Sequence, residues 1–303
     1  MSPEELKAAL PRGLLSFPLT DFDAYGSFDS RASAQRLDWL ARYPAAALFS
    51  AGGAGEFFSL TADEYANVLR VAVQSCGKKL PVIGAAGYGT GMAIAYAEKT
   101  EKIGASGILL LPPYLVEGPQ EGLRAHIAAI CRATRLGVIV YNRGTCRLKA
   151  ETLARLAQDC PNLIAFKDGI GDLEETAKIR SLLGDRMLML NGMPTAETYA
   201  QEFRKAGFAT YSSAIFNFAP RTALTFHKAV HEDDDATVQR LMTDFVEPYV
   251  AIRKRSAGYA VSIVKAGAAI VGKSAGPVRA PLTDLTEAER NELAALIEKL
   301  GPQ

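Results

Sequence analysis

The chain has 303 residues, 49% hydrophobic and 22% charged, which fits a compact enzyme with a large core. A net charge of +1 gives no indication of binding to nucleic acid or to an anionic membrane. The first residues lack the order of a signal peptide, and no apolar run approaches the roughly 20 residues that span a bilayer. The four cysteines form no C-x-x-C pair, so we expect reduced thiols, no zinc site and a cytoplasmic protein.

Short runs rich in Val, Ile, Leu and Phe recur along the first two thirds of the chain, and a helical pattern follows each of them. Most of these runs are apolar throughout, which is typical of parallel strands that are buried on both faces. This repeat predicts a (β/α)8 TIM barrel, with a doubly wound open sheet as the alternative. The predicted strands are residues 14–18, 46–50, 80–85, 107–111, 137–141, 163–167, 187–191 and 209–212.

After Pro220 the strand pattern stops, and the remaining residues predict helices at 221–231, 236–255, 259–271 and 286–300. The first of these can complete the barrel as its eighth helix. We therefore predict a barrel with the active site over residues 1–232 and a C-terminal helical extension over residues 233–303. The basic cluster at 253–255 is interpreted as a solvated helix face or a subunit contact.

The active site of such a barrel lies at the carboxyl ends of the strands. Lys167 ends an otherwise apolar run, where burial would favour the neutral, nucleophilic amine. Tyr141 ends the preceding strand, so that its phenol could move protons beside Lys167. The glycine-rich turn 52–56 can offer free backbone N–H groups to a carboxylate. Together these features predict a site that forms an imine with a 2-keto acid.

The same residues carry a family resemblance over essentially the whole chain. The sequence resembles the dihydrodipicolinate synthase/N-acetylneuraminate lyase superfamily, in which an enzyme lysine forms a Schiff base with the substrate. The landmarks fall in order on the predicted strand ends: Phe17-Pro-Leu-Thr20, Gly52-x-x-Gly55-Glu56, Pro113-Tyr114, Tyr141-Asn142, Lys167 in Phe-Lys-Asp-Gly-Ile-Gly-Asp, Gly192 and Arg279-Ala-Pro-Leu282.

The resemblance implies a role for each matching residue. Lys167 takes the Schiff-base role and Tyr141 the acid/base role, and the backbone amides of Gly53 and Ala54 hold the keto-acid carboxylate. It also implies a homo-oligomer, as a tetramer, and chemistry that needs neither a metal ion nor an organic cofactor. The other predicted substrate-binding residues lie on the same strand ends, and the polar ones are candidates for the distal carboxylate and hydroxyls: Gly55, Arg143, Asn191, Gly192, Ser212 and Ser213.

Within the superfamily, segments 52–61, 191–197 and 211–220 are similar to the 5-dehydro-4-deoxyglucarate dehydratases. Gly53, Ala54 and Leu115 replace the hydroxyl residues of the proton relay in dihydrodipicolinate synthase. The resemblance thus implies conversion of a keto-deoxy sugar diacid, 5-dehydro-4-deoxy-D-glucarate, to 2,5-dioxopentanoate, water and CO2. A Schiff-base aldolase or synthase that acts on another 2-keto acid and a catalytically silent sugar-acid sensor are the alternatives.

Overall fold

The computed structural model describes residues 1–114 and 117–303, so that Leu115 lies outside the described residues. Eight parallel strands form a closed barrel, in which each strand pairs with the next and β8 pairs with β1. The predicted (β/α)8 barrel is confirmed, and the open-sheet alternative is wrong. The strands are β1 Leu15–Ser16, β2 Ala47–Phe49, β3 Val82–Ala86, β4 Gly107–Leu110, β5 Gly137–Asn142, β6 Leu163–Asp168, β7 Leu188–Asn191 and β8 Thr210–Ser213.

Helices connect the strands, and several begin at the caps that the sequence provides. Thr61 and Glu64 form a capping box at the start of the helix Ala62–Cys76, and the Asp172 side chain caps the helix Leu173–Leu183. The barrel helices are α2 Ser30–Leu40, α3 Ala62–Cys76, α4 Thr90–Ile103, α5 Gln120–Arg132, α6 Ala150–Asp159, α7 Leu173–Leu183, α8 Ala200–Lys205 and α9 Pro220–His231, and α1 Pro3–Ala9 precedes the first strand.

The C-terminal helices are also present, close to their predicted positions. They are α10 Asp235–Leu241, α11 Glu247–Arg253, α12 Tyr259–Ile270 and α13 Glu287–Glu298, with a π-helical turn at Met242–Val246 between α10 and α11. A single hydrophobic cluster joins Leu14 and Leu19 of the barrel to Leu293 and Ile297 of α13. The domain boundary between residues 232 and 233 stays a prediction.

The interior of the barrel is a separate apolar cluster to which all strands except β8 contribute, including Leu15, Phe49, Ile83 and Leu190. Phe17 and Phe49 stack with ring centroids 4.5 Å apart near the carboxyl ends of the strands. The barrel is therefore packed rather than hollow, and a ligand can enter only above this layer. None of the described helices is long and apolar enough to cross a membrane.

Candidate active site

A cavity of about 610 Å³ opens at the carboxyl ends of the strands, between the barrel and the C-terminal helices. Its size is typical of a site for a small molecule. All of the predicted site residues except Gly55 and Asn191 line it: Gly53, Ala54, Tyr141, Arg143, Lys167, Gly192, Ser212 and Ser213.

Lys167 lies at the floor of this cavity and is only 3% exposed. Its Nζ atom lies 4.0 Å from the centre of the Tyr141 ring and 5.2 Å from that of Phe17. Burial lowers the pKa of Lys167, and the positive charge of Arg143 acts in the same direction, against the opposing effect of Tyr141. A larger share of Lys167 is consequently neutral at a given pH than for a lysine in water, as a nucleophilic amine requires.

Tyr141 and Lys167 are register partners on β5 and β6, which places the two side chains next to each other. The Tyr141 hydroxyl donates to the Gly192 carbonyl at 2.7 Å and accepts from Nη1 of Arg143 at 2.8 Å. Burial raises the pKa of Tyr141, but the positive charges of Lys167 and Arg143 outweigh burial, so this pKa lies below its ordinary value. A phenol of this kind can give and take a proton at an atom bound to Lys167.

Gly192 follows β7, and the absence of a side chain at this position provides space for Lys167. A Cβ atom at this position would lie 2.6 Å from Nζ of Lys167 and 2.8 Å from Cε2 of Tyr141. Any larger residue would collide with both of these side chains. Glycine is thus required here by the close approach of the backbone to the lysine.

The glycine-rich loop after β2 lies at the edge of the cavity. The amides of Gly53 and Ala54 donate to no backbone or side-chain acceptor in the part of the chain that the structure describes. Gly55 does not line the cavity; its carbonyl accepts from Oγ1 of Thr20 at 2.6 Å, which fixes the loop. The loop can therefore present two free N–H groups to an anion, as a carboxylate seat needs.

Asn191 is buried outside the cavity lining, with both ends of its side chain bonded to the chain that follows. Its Nδ2 donates to the Ala196 carbonyl at 3.3 Å and its Oδ1 accepts from the Met193 amide at 3.0 Å. The geometry thus gives Asn191 a part in shaping the loop after β7. Ser213 lines the cavity, and its hydroxyl donates to the buried carboxyl of Glu197.

The cavity also contains residues of the C-terminal extension that sequence reasoning missed. Tyr249 and Arg253 of α11 line it together with Ala260 and Val261 of α12. The interpretation of residues 253–255 as a solvated helix face or a subunit contact did not include this position of Arg253 at the cavity. Tyr249 and Arg253 are four residues apart and share one face of α11. The sequence shows this spacing. It does not show, however, which surface of the barrel this face of the helix packs against.

Within the described residues, no three His, Cys, Asp or Glu side chains cluster in a way that could hold a metal ion. The cavity instead combines a buried lysine, a phenol, free backbone amides and two arginines. That set suits imine formation with a carbonyl compound that carries negative charge.

Comparisons with known proteins agree with this chemistry. A model of the dihydrodipicolinate synthetase family matches residues 10–300. The chain is 55% identical over 303 residues to a 5-dehydro-4-deoxyglucarate dehydratase of Pseudomonas putida, with both chains covered completely. It is 58% identical, also with complete coverage of both, to a probable 5-dehydro-4-deoxyglucarate dehydratase of Paracidovorax citrulli.

Solved structures give the same family. The dihydrodipicolinate synthase of Bacillus clausii is 25% identical and superimposes with a TM-score of 0.87 over 97% of this chain and 99% of the other. The corresponding enzyme of Cyanidioschyzon merolae, solved with lysine bound, is 26% identical with a TM-score of 0.85 over 96% and 99% of the two chains.

Proposed function

Since the chain belongs to the dihydrodipicolinate synthetase family, we propose that it dehydrates and decarboxylates 5-dehydro-4-deoxyglucarate through a Schiff base on Lys167. The observation that carries the proposal is the buried Lys167 amine beside the Tyr141 phenol, at the floor of a cavity lined by free amides and arginines. The choice of this substrate among 2-keto acids rests on the relatives of that name, which match the whole length of the chain.

In the first step Nζ of Lys167 attacks the C5 ketone, and the carbinolamine loses water to form a cationic imine. The Tyr141 hydroxyl supplies the proton that leaves with this water. The amides of Gly53 and Ala54 hold the C6 carboxylate next to the ketone. The depressed pKa of Lys167 favours the attack, because only the neutral amine carries the lone pair that forms the bond.

In the second step the imine cation makes the C4 protons acidic, and loss of one of them gives an enamine. The enamine expels the C3 hydroxyl, which takes up a proton and leaves as water. The product is an iminium ion conjugated with a C3–C4 double bond, so the C1–C2 bonding electrons can flow toward the nitrogen. CO2 then leaves and C2 becomes an enol carbon, which tautomerises to the aldehyde as C3 takes up a proton. Protonation of C4 regenerates the imine cation, and its hydrolysis releases 2,5-dioxopentanoate.

The direct test supplies 5-dehydro-4-deoxyglucarate to the purified protein and measures CO2 and 2,5-dioxopentanoate. We expect both in equal amounts. Cleavage of the substrate into two keto or aldehyde fragments without CO2 would indicate an aldolase of the same family instead. If the protein showed no turnover and borohydride trapped no adduct on Lys167, Schiff-base chemistry would be contradicted and a sensor would be favoured.

We also propose that the protein is a cytoplasmic homotetramer. The family resemblance supports the tetramer, and four free, buried cysteines favour a reducing compartment. Light scattering on the purified protein should give four times the mass of one chain. A monomer at micromolar concentration would contradict the proposed assembly.

A further inference from the structure

The charged residues that line the cavity all carry the same sign. Arg143 and Arg253 are cationic, Lys167 is cationic when it is protonated or bound as the imine, and no aspartate or glutamate is among the lining residues in the described part of the chain. A site with this lining attracts anions and disfavours neutral ligands of the same shape. Three cationic side chains exceed what one keto-acid carboxylate and one imine require.

The two arginines differ in their surroundings. Arg143 follows β5, and its Nη1 donates to the Tyr141 hydroxyl at 2.8 Å, so it lies beside the lysine and lowers the pKa of both groups. Arg253 lies at the end of α11, and within residues 1–114 and 117–303 its guanidinium makes no hydrogen bond or ion pair with another residue. Arg253 is half-buried and lines the cavity, so its unpaired donors are available to a ligand there.

Arg253 belongs to a different part of the fold from the groups assigned to the keto-acid end of the site. The amides of Gly53 and Ala54 lie on the loop after β2, and Lys167 lies on β6, whereas Arg253 reaches the cavity from the C-terminal extension. A linear six-carbon diacid whose keto end is bound to Lys167 must direct its other carboxylate away from the barrel floor. The guanidinium fork is the group best suited to bind that carboxylate with two parallel hydrogen bonds.

We propose that Arg253 binds the distal carboxylate of the substrate and thereby selects six-carbon diacids over keto-deoxy monoacids. This inference rests on the proposed function, because it takes the substrate to be a 5-keto diacid. In this role Arg253 forms no covalent bond with the substrate and transfers no proton. It acts as a specificity residue, and its loss weakens binding of ligands that carry the second carboxylate while leaving imine formation intact.

The test compares Arg253→Met with wild type on two ligands. One is 5-dehydro-4-deoxyglucarate, and the other is the keto-deoxy monoacid in which a hydroxymethyl group replaces the distal carboxylate, measured as a competitive inhibitor. We expect KM for the diacid to rise by about 10- to 100-fold, as for loss of hydrogen bonds to a charged group. The inhibition constant of the monoacid should change by less than about threefold, within the range of a substitution that removes no contact.

The neighbouring Lys254 offers a matched control, since it is exposed and lies on the same helix end. Lys254→Met removes the same charge and should leave both constants unchanged. Arg253→Lys keeps the charge without the fork and should give an intermediate KM for the diacid. Pyruvate and borohydride should label Lys167 in every variant to the same extent, which shows that the fold and the imine chemistry persist.

The outcomes separate the inference from the function on which it rests. An unchanged KM for the diacid in Arg253→Met, or an equal loss for diacid and monoacid, would overturn the role of Arg253 while the dehydratase activity stands. If wild type released no CO2 from the diacid, the proposed function itself would fail. Loss of pyruvate labelling in Arg253→Met, together with normal labelling in Arg253→Lys and an unchanged KM there, would also overturn the inference, because Arg253 would then serve the fold.

Discussion

A buried ion pair links the glycine-rich turn 52–56 to the C-terminal extension. Nζ of Lys265 in α12 lies 2.8 Å from Oε1 of Glu56, and both side chains are at most 2% exposed. Lys265 also donates to the Pro277 carbonyl at 2.7 Å. Glu56 is the last residue of this turn and has a left-handed backbone with φ of 55°. The pair therefore connects α12, which also lines the cavity, to a residue with a strained backbone beside the site.

Replacing Lys265 with methionine keeps most of the side-chain volume but leaves the Glu56 carboxylate buried without its cation. Breaking a buried pair in this way costs about 3–5 kcal/mol of stability. Oε2 of Glu56 still accepts from the Arg279 amide at 3.1 Å, so we expect the lower end of that range, about 3 kcal/mol. The double variant Glu56→Gln/Lys265→Met removes both charges and should lose less than the single variant, since no unpaired charge remains.

The assay is denaturant unfolding followed by circular dichroism, with the free energy of unfolding compared among wild type, Lys265→Met and the double variant. Lys273→Met is the control, because this lysine lies shortly after α12 but is exposed, and it should stay within about 0.5 kcal/mol of wild type. Equal losses in the single and double variants would refute the reasoning, as would a loss below about 1 kcal/mol in Lys265→Met.

Four further predictions concern the site and its surroundings. Lys167→Ala should abolish turnover and borohydride labelling while the circular dichroism spectrum stays unchanged. Wild-type activity in this variant would exclude an imine on Lys167 from the mechanism. Tyr141→Phe should lower kcat by about 10²–10⁴-fold with Lys167 still labelled slowly, and a wild-type kcat would assign the proton transfers to another group. Gly192→Ala should abolish pyruvate labelling, because the new methyl group would lie 2.6 Å from Nζ of Lys167, and normal labelling would show that the loop yields. Burial raises the pKa of Glu197 from 4.5 to about 7, so the folded chain keeps a proton that the unfolded chain releases and stability falls as the pH rises between these values. The Tm of Glu197→Gln minus the Tm of wild type should therefore be larger at about pH 8 than at about pH 5. The same difference at both pH values would contradict this pKa.

Most of the barrel could be predicted from the sequence because its strands are buried on both faces. Apolar runs between helical patterns place each strand within about two residues, and the order of the strands around the barrel follows from their order in the chain. The same topology makes Tyr141 and Lys167 neighbours, since they end consecutive strands and are register partners. The sequence therefore predicts that these two side chains are neighbours, because the strand order of the barrel follows the chain order.

The parts that escaped prediction all depend on contacts between distant segments. Arg253 reads as one member of a basic cluster, and only the packing of α11 over the barrel mouth distinguishes it from the exposed Lys254. Asn191 has the position of a binding residue, but the turn that follows β7 supplies partners for both ends of its amide. The sequence does not show such contacts, because hydrophobic periodicity indicates which face of a helix or strand is apolar but not which segment packs against that face.

The extension matters to the chemistry because the conjugated iminium ion has two fates. Water can hydrolyse it before the distal carboxylate leaves, or electrons from the C1–C2 bond can enter it and release CO2. Ala260 and Val261 of α12 line the cavity with apolar groups, as do Phe57 and Phe58 from the loop after β2. Apolar groups beside the iminium ion would strengthen the pull of the cation on the C1–C2 bonding electrons, because they lower the local polarity. We therefore expect the apolar lining from the C-terminal helices to favour decarboxylation over early hydrolysis of an imine formed on Lys167.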